Sequence, residues 1–194
     1  GYWIDNVAKD LDLGIKVISL DDFYLPGREM DIAMDGNPWN VPRGIPGSHS
    51  LDLLIDVIDH WIETGDLNAP KFDKALRNGL GDRSGWYRSQ SKVLFIEGWF
   101  VGCCPTNDEE DLLDSGGLLS PSLTASEIDY RIKIQKSLAK YKPAWERIHR
   151  LWHINALEFS STSAWKVQQE NKMQVERGSS LKGESLTSFI RMIN

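Results

Sequence analysis

The sequence predicts an α/β domain with a mainly parallel sheet. Two short apolar runs, residues 15–20 and 92–98, are typical of strands that are buried on both faces. Segments with apolar residues at helical spacing precede, separate and follow these runs, and such alternation favours a parallel sheet. Ligands of such sheets bind beyond the carboxyl ends of the strands, so we expect the functional residues there.

The composition predicts one globular domain that spans residues 1–194. The chain is 41% hydrophobic and 26% charged, and its net charge of -6 argues against a nucleic-acid-binding protein. No apolar run approaches the roughly 20 residues of a membrane span, and no secretory leader is recognisable. The adjacent Cys103 and Cys104 cannot supply a disulfide framework, so we expect a cytoplasmic protein without nucleic-acid or membrane partners.

The first half of the chain is predicted to begin with a helix over residues 2–12, followed by the strand at 15–20. Three prolines and three glycines predict an extended loop over residues 34–50. Ser50 is expected to cap a helix that reaches about Thr64 and ends at Gly65. Residues 69–91 are rich in glycine and charge and are predicted to form a second loop.

The second half begins with the strand at 92–98 and continues with a polar stretch at 103–123 that we expect to be mobile. Thr124 and Glu127 form a capping-box pattern for a helix to about residue 140. Pro143 can start another helix through residue 151, and a short strand is possible at 153–157. Helices are also predicted over residues 160–177 and from Glu184 onward.

Carboxylates follow both predicted strands. Asp21 and Asp22 come directly after the first strand, and Glu97 closes the second. The functional interpretation is that Asp21 accepts or orients the proton of an attacking hydroxyl, while the neighbouring acids hold magnesium or its water shell. The alternatives are a turn and helix-cap pair for the aspartates and a solvated strand end for Glu97.

Two loops combine cations with glycines. One is RGIPGSH at residues 43–49, and the other is PKFDK at 70–74, continued by GLGDR at 79–83. Backbone and side-chain donors in such loops can close round a small anion. Any anionic ligand of this acidic chain must be met by local cations of this kind.

Five motifs in this order resemble those of D-glycerate 3-kinases, which are P-loop kinases related to uridine kinase, phosphoribulokinase and pantothenate kinase. They are SLDDFYL, RGxPGSH, PKFDK, GxGDR and LFIEGWFVG. The resemblance is close over residues 15–105 and weaker over 165–194, where residues 160–180 are similar to the lid of the family. It implies a P-loop NTPase-like, three-layer α/β/α fold.

The resemblance also implies a function, namely ATP- and Mg²⁺-dependent phosphorylation of D-glycerate or a similar hydroxy acid. It implies that Asp21 is the catalytic base, that Lys166 steadies the transferred phosphoryl group, and that Arg177 shares this role at the nucleotide. Asp22 and Glu97 would belong to the magnesium site. The residues implied to surround the acceptor substrate are Arg43, His49, Asp73, Lys74 and Arg83.

The sequence departs from the family at three places. The phosphate-binding pattern G-x-x-x-x-G-K-[ST] is absent, so we expect a fragment that lacks the first strand and this loop, with little or no kinase activity by itself. Lys166 stands where relatives commonly have arginine, and Ser50 where they commonly have aspartate. The alternatives are a kinase for another small alcohol and a non-catalytic kinase-like protein.

Overall fold

The computed structural model describes residues 1–113, 120–155, 158, 161–178 and 180–193, with the backbone alone at 109, 111, 176 and 177. Its helices are α1 (Tyr2–Asp10), α2 (Gly27–Met34), α3 (Leu51–Thr64), α4 (Glu109–Leu113), α5 (Ala125–Ala139), α6 (Lys142–Trp145), α7 (Ser161–Arg177) and α8 (Gly183–Ile193). Its strands are β1 (Ile15–Ser19), β2 (Asp66–Asp73), β3 (Asp82–Gln90) and β4 (Val93–Glu97). Short 3₁₀ turns occupy Leu20–Phe23 and Arg77–Gly79.

The two predicted strands form a parallel pair. β1 and β4 run side by side in register from Ile15 opposite Val93 to Ser19 opposite Glu97. Both strands therefore end at the same edge, and the 3₁₀ turn that follows β1 carries Asp21 and Asp22. Gly98 permits close packing after β4, because a Cβ there would lie only 2.9 Å from Cβ of Leu20.

The prediction of a loop over residues 69–91 is wrong, because β2 and β3 form an antiparallel hairpin in this region. β2 buries alternate residues, including Leu67 and Ala69, against α3 and the end of β1. β3 is mostly exposed on both faces, and polar, glycine-containing sequence of this kind lacks the apolar alternation that marks a half-buried strand. The hairpin brings the PKFDK and GLGDR motifs to the strand ends.

The helices α3 and α5 begin and end close to their predicted bounds. Gly65 terminates α3 in the left-handed conformation, with φ of 76°, and its N–H donates to the carbonyl of Trp61. Thr124 and Glu127 form the predicted capping box at the start of α5. The helices at 161–177 and 183–193 also match the prediction.

Two predictions for the second half are wrong where the structure describes the chain. The helix expected from Pro143 to residue 151 is limited to α6, which ends at Trp145. Turn residues follow it at positions 146 and 147. Residues 153–155 are not a strand, and 156–157 lie outside the described residues. Within the polar stretch 103–123 the chain forms α4, and residues 114–119 are outside the described part.

Two apolar clusters hold the chain together. The larger one joins β1, α3, the base of the hairpin and α5–α6, and it includes Phe23, Leu54 and Tyr141. The smaller one lies under α2 and the loop before α3, and Phe189 and Met192 of α8 pack against it. The smaller cluster therefore places the C-terminal helix beside the RGIPGSH loop.

Candidate active site at the ends of β1 and β4

Asp21 forms an ion pair with Lys74 of the hairpin. The Lys74 Nζ lies 2.6 Å from Oδ2 of Asp21, although the two residues are 53 positions apart. Burial raises the pKa of Asp21, but the charge and the hydrogen bond of Lys74 outweigh it and leave that pKa below its ordinary value. Asp21 is therefore ionised at neutral pH and can accept a proton or a hydroxyl hydrogen bond.

Asp22 and Glu97 have different surroundings. Oδ1 of Asp22 accepts a hydrogen bond from the Phe72 N–H at 3.3 Å, and burial raises the pKa of this carboxyl. Glu97 is exposed at the end of β4, with its carboxyl beside Gly1. Asp22 thus anchors the hairpin to the turn after β1, whereas Glu97 faces the start of α1.

These two acids fit magnesium only as part of a larger ligand set. No group of three or more His, Cys, Asp or Glu side chains that could hold a metal ion occurs among the described residues. Magnesium, however, is commonly held by one or two carboxylates together with water and substrate phosphates. The oxygen donors of Asp22 and Glu97 suit that arrangement, in which the nucleotide would supply the remaining ligands.

Arg43 joins the RGIPGSH loop to the hairpin. Its Nη1 donates to the carbonyls of Gly79 and Leu80, at 2.8 and 3.0 Å. Burial lowers the pKa of this guanidinium, while the negative charge of Asp21 acts in the opposite direction. Arg43 is therefore a fixed cation in the neighbourhood of Asp21.

His49 is buried in an aromatic cage. Its ring stacks on Tyr24 with a centroid distance of 4.5 Å and meets the rings of Phe100 and Tyr141 edge-on. Nδ1 lies 2.8 Å from the Tyr141 hydroxyl. Burial lowers the pKa of His49 to about 3, against a smaller opposing effect of Asp21, so the imidazole is neutral at pH 7.

The Ser50 side chain binds Arg83, so the prediction that Ser50 caps α3 with its side chain is wrong. Ser50 is the N-cap residue of that helix, but its side chain makes no capping hydrogen bond. Its Oγ accepts from Nη2 of Arg83 at 2.6 Å, and the same nitrogen donates to the Tyr24 carbonyl at 3.4 Å. The pairing is favourable because a charged donor forms a stronger hydrogen bond than a backbone N–H.

Two side-chain nitrogens at this place are buried without a partner. Among the residues that the structure describes, they are Nε2 of His49 and Nε of Arg83. Both residues contact Tyr24. The Tyr24 ring stacks on His49, and the two residues also form an isolated β-bridge. The Tyr24 carbonyl accepts a hydrogen bond from Arg83. Buried polar groups are almost always hydrogen-bonded, so each unsatisfied nitrogen is a candidate partner for a ligand or a water molecule.

Asp73 lies at the turn that follows β2. Its Oδ1 accepts a hydrogen bond from the Ala75 N–H at 2.9 Å, which stabilises the turn that carries Lys74. This contact gives Asp73 a local role in placing Lys74. Its direct contact with a substrate stays a prediction.

Lys166 of α7 reaches the same region from the C-terminal part of the chain. Its Nζ pairs with Glu170 at 2.7 Å and lies 4.2 Å from the centroid of the Phe189 ring. Burial lowers the pKa of Lys166, and the positive charges of Lys74 and Arg43 lower it further against the effect of Glu170. The side chain of Arg177, the other predicted cation, lies outside the described residues.

Tyr141 is a further residue of this site that no sequence pattern indicates. This residue is fully buried, and its hydroxyl contacts both the Gly47 N–H and the His49 ring. A tyrosine at the end of an amphipathic helix looks like an ordinary core residue in the sequence. Only the fold, which brings it to a loop 94 residues earlier, reveals its polar contacts.

Two curated relatives of the chain are named as kinases. It is 29% identical over 189 residues to the "Uncharacterized kinase mug58" of Schizosaccharomyces pombe, covering 89% of this chain and 65% of the relative. It is 22% identical to the "Probable ATP-dependent kinase TDA10" of Saccharomyces cerevisiae, covering 91% of this chain and 62% of that protein. The chain thus spans somewhat less than two thirds of the length of these relatives. No family model matches the sequence.

Two solved structures are also similar to this chain. The D-glycerate 3-kinase of Cryptococcus neoformans has a TM-score of 0.81 and 28% identity, with 96% of this chain and 69% of that chain covered. The structure of the YGR205w protein has a TM-score of 0.73 at 23% identity, covering 98% of this chain and 69% of that chain, and it supports the fold alone.

The fold is the predicted three-layer α/β fold of P-loop kinases. The chain is similar to a D-glycerate 3-kinase and to two proteins named as kinases, so the predicted resemblance of its motifs is confirmed. Its described helices include none that is long and apolar enough to cross a membrane.

Proposed function

We propose that this protein transfers a phosphoryl group from ATP to a hydroxyl group of D-glycerate. The observation that carries the proposal is the ion pair of an ionised Asp21 with Lys74, close enough to His49 for the Asp21 charge to act on the imidazole. A hydroxy acid needs a partner for its reacting hydroxyl and cations for its carboxylate, and these residues supply both. The similarity to a D-glycerate 3-kinase supports the same substrate.

Asp21 is the proposed base. As the substrate hydroxyl oxygen forms a bond to the γ-phosphorus and the bond to the ADP oxygen breaks, the hydroxyl proton passes to the Asp21 carboxylate. The pKa of Asp21 is lowered, which keeps the carboxylate free of a proton before the reaction. Its main contribution is to hold the hydroxyl in line, because positioning supplies most of the catalysis in phosphoryl transfer.

The substrate carboxylate is assigned to the cations around Asp21. Arg43 and Arg83 are fixed by backbone carbonyls, and Lys74 is fixed by Asp21 itself. Planar guanidinium groups suit a carboxylate because they can donate two parallel hydrogen bonds. Asp73 completes this group by holding the turn that carries Lys74.

The phosphoryl side is assigned to Lys166 and Arg177 of α7, with residues 160–180 acting as a lid. Bound Mg²⁺ would neutralise charge on the ATP phosphates, and Asp22 and Glu97 would hold it or its water shell. The 194 residues contain no G-x-x-x-x-G-K-[ST] sequence, so the backbone amides and the lysine of such a loop are not among the assigned residues.

The test is ADP release by the protein in the form that its cell makes, supplied with ATP, Mg²⁺ and D-glycerate. Glycerol is the matched control because it keeps the hydroxyls and lacks the carboxylate. We expect release with D-glycerate and little above background with glycerol. Equal rates would indicate a kinase for another small alcohol, and no release with any small hydroxyl compound would favour a non-catalytic protein.

A further inference from the structure

Tyr141 lies between α5 and α6 and is completely buried. Its ring stacks on Trp145 and meets the rings of Phe100 and His49 edge-on. These contacts leave the phenol a single orientation, with its hydroxyl between the RGIPGSH loop and the imidazole. The Tyr141 hydroxyl is therefore held in one position beside His49.

The hydrogen bonds of this hydroxyl determine which nitrogen of His49 carries a proton. The Gly47 N–H donates to the Tyr141 oxygen at 2.9 Å, so the oxygen already accepts one hydrogen bond. Its single proton then has Nδ1 of His49, 2.8 Å away, as its acceptor. With the opposite assignment, Nδ1–H would donate to the oxygen and the buried phenolic proton would have no acceptor. Satisfying both groups therefore requires an unprotonated Nδ1.

The neighbouring Ser48 agrees with this assignment. Its Oγ lies 2.6 Å from the Ile45 carbonyl and 3.4 Å from Nδ1 of His49. The short contact to a carbonyl, which can only accept, takes the hydroxyl proton of Ser48. Nδ1 of His49 is therefore left as the acceptor of the Tyr141 proton alone.

We propose that Tyr141 is a positioning residue that fixes His49 as its Nε2–H tautomer, and that this N–H donates a hydrogen bond to an oxygen of the acceptor substrate. The second half rests on the proposed function, because it places the substrate beside Asp21. Nε2 is buried and has no protein partner, and the Asp21 charge is near enough to act on the imidazole. A neutral donor binds a hydroxyl or carboxylate oxygen without competing with Asp21 for the proton.

The neutrality of the ring follows from its cage. Burial holds the pKa of His49 at about 3, so the ring does not take up a second proton at physiological pH. The two tautomers of a neutral imidazole present opposite hydrogen-bonding faces. Tyr141 selects the tautomer that presents a donor, whereas an unpartnered ring in water would exchange between both forms.

The test uses the protein in the form that its cell makes, with ¹⁵N-labelled histidine and long-range ¹H–¹⁵N correlation spectra at pH 7. The His49→Gln variant assigns the His49 signals among the four histidines of the chain. We expect a protonated Nε2 and an unprotonated Nδ1 in the wild type, and a mixture of tautomers in Tyr141→Phe. Tyr130→Phe is the control, because its hydroxyl is outside the His49 network. A protonated Nδ1 or an imidazolium in the wild type would overturn the tautomer assignment.

Addition of D-glycerate tests the second half. Binding should shift the Nε2 resonance of His49, and Tyr141→Phe should weaken the affinity up to about tenfold, the loss expected for one neutral hydrogen bond. Tyr130→Phe should bind as the wild type does. D-glycerate binding without a shift at Nε2 would overturn the donor role alone. If the wild type bound no D-glycerate, the proposed substrate would fail together with this donor role, and the tautomer would still be decided by the ligand-free spectrum.

Discussion

The two halves of the candidate site are held in place by different kinds of contact. The acceptor half, which comprises Arg43, His49, Lys74 and Arg83 around Asp21, is fastened to backbone carbonyls and buried rings. The α7–α8 half brings Lys166, whose partners Gln169 and Glu170 belong to its own helix. The acceptor half is therefore preformed, whereas Lys166 depends for its position on its own helix and on Phe189 of α8.

The largest effect is expected from the acceptor half. Asp21→Asn should lower kcat for D-glycerate by about 10²–10⁴-fold, because the amide cannot take the hydroxyl proton. The KM should change much less, since the cations around the carboxylate remain. Steady-state ADP release by the protein as its cell makes it measures both quantities. Asp56→Asn, an exposed change on α3, is the control and should leave kcat unaltered.

The attachment of the α7–α8 half can be weakened separately. The buried Glu127 accepts hydrogen bonds from Arg191 of α8 at 2.8 Å and from the Trp39 indole at 2.9 Å. Glu127→Gln removes the ion pair with Arg191 and the charge that accepts from Trp39, so the free energy of unfolding should fall by about 3 kcal/mol. Urea denaturation measures this loss. The exposed Glu63→Gln is the control, and an equal loss there would contradict the role of this ion pair.

The same carboxylate predicts a pH dependence. The hydrogen bonds from Arg191, Thr124 and Trp39 outweigh burial and lower the pKa of Glu127 from 4.5 to about 2. A lowered pKa in the folded state means that the ionised form stabilises the fold above the ordinary value. This stabilisation should fall progressively from about pH 4.5 towards pH 2. Glu127→Gln should lose that part of the acid dependence, and an unchanged acid profile would count against the assignment.

A substitution of Lys166 tests the proposed role of the α7–α8 half at the phosphoryl group. Lys166→Met should lower kcat by about 10²-fold, the effect of removing one donor to the transition state. Lys166→Arg keeps the charge and adds a planar pair of donors, so it should retain activity. The exposed Lys133→Met on α5 is the control. Equal activity of Lys166→Met and the wild type would remove Lys166 from the proposed mechanism.

The smallest effect is expected at Ser50. Ser50→Ala removes a hydrogen bond from Arg83 and should raise the KM for D-glycerate a few-fold, consistent with a loss of about 1 kcal/mol. Thr124→Ala removes a true helix cap and should cost about 1 kcal/mol of stability without changing that KM. If both variants changed stability and neither changed KM, Ser50 would be only a structural residue.

The sequence predicts local features well and long-range contacts only through motifs. The two parallel strands, the end of α3 at Gly65 and the capping box of α5 follow from short patterns, because apolar periodicity and turn chemistry act over a few residues. The strands are less buried than predicted, since β4 has no fully buried residue. The hairpin was missed because β3 exposes both faces. Ser50 was misassigned because its partner, Arg83, is 33 residues away. The Tyr141 contact with the RGIPGSH loop, like the pairing of Asp21 with Lys74, exists only after folding.

The most direct test of a preformed acceptor half is calorimetric titration of D-glycerate, without nucleotide, into the protein in the form that its cell makes. We expect heat of binding with D-glycerate, loss of most of it in Arg83→Met, and none with glycerol. Arg83→Met removes the guanidinium and keeps much of the apolar stem, and its folding is checked by thermal denaturation. Binding of glycerol equal to that of D-glycerate, or no binding of D-glycerate to the folded wild-type chain, would contradict the account.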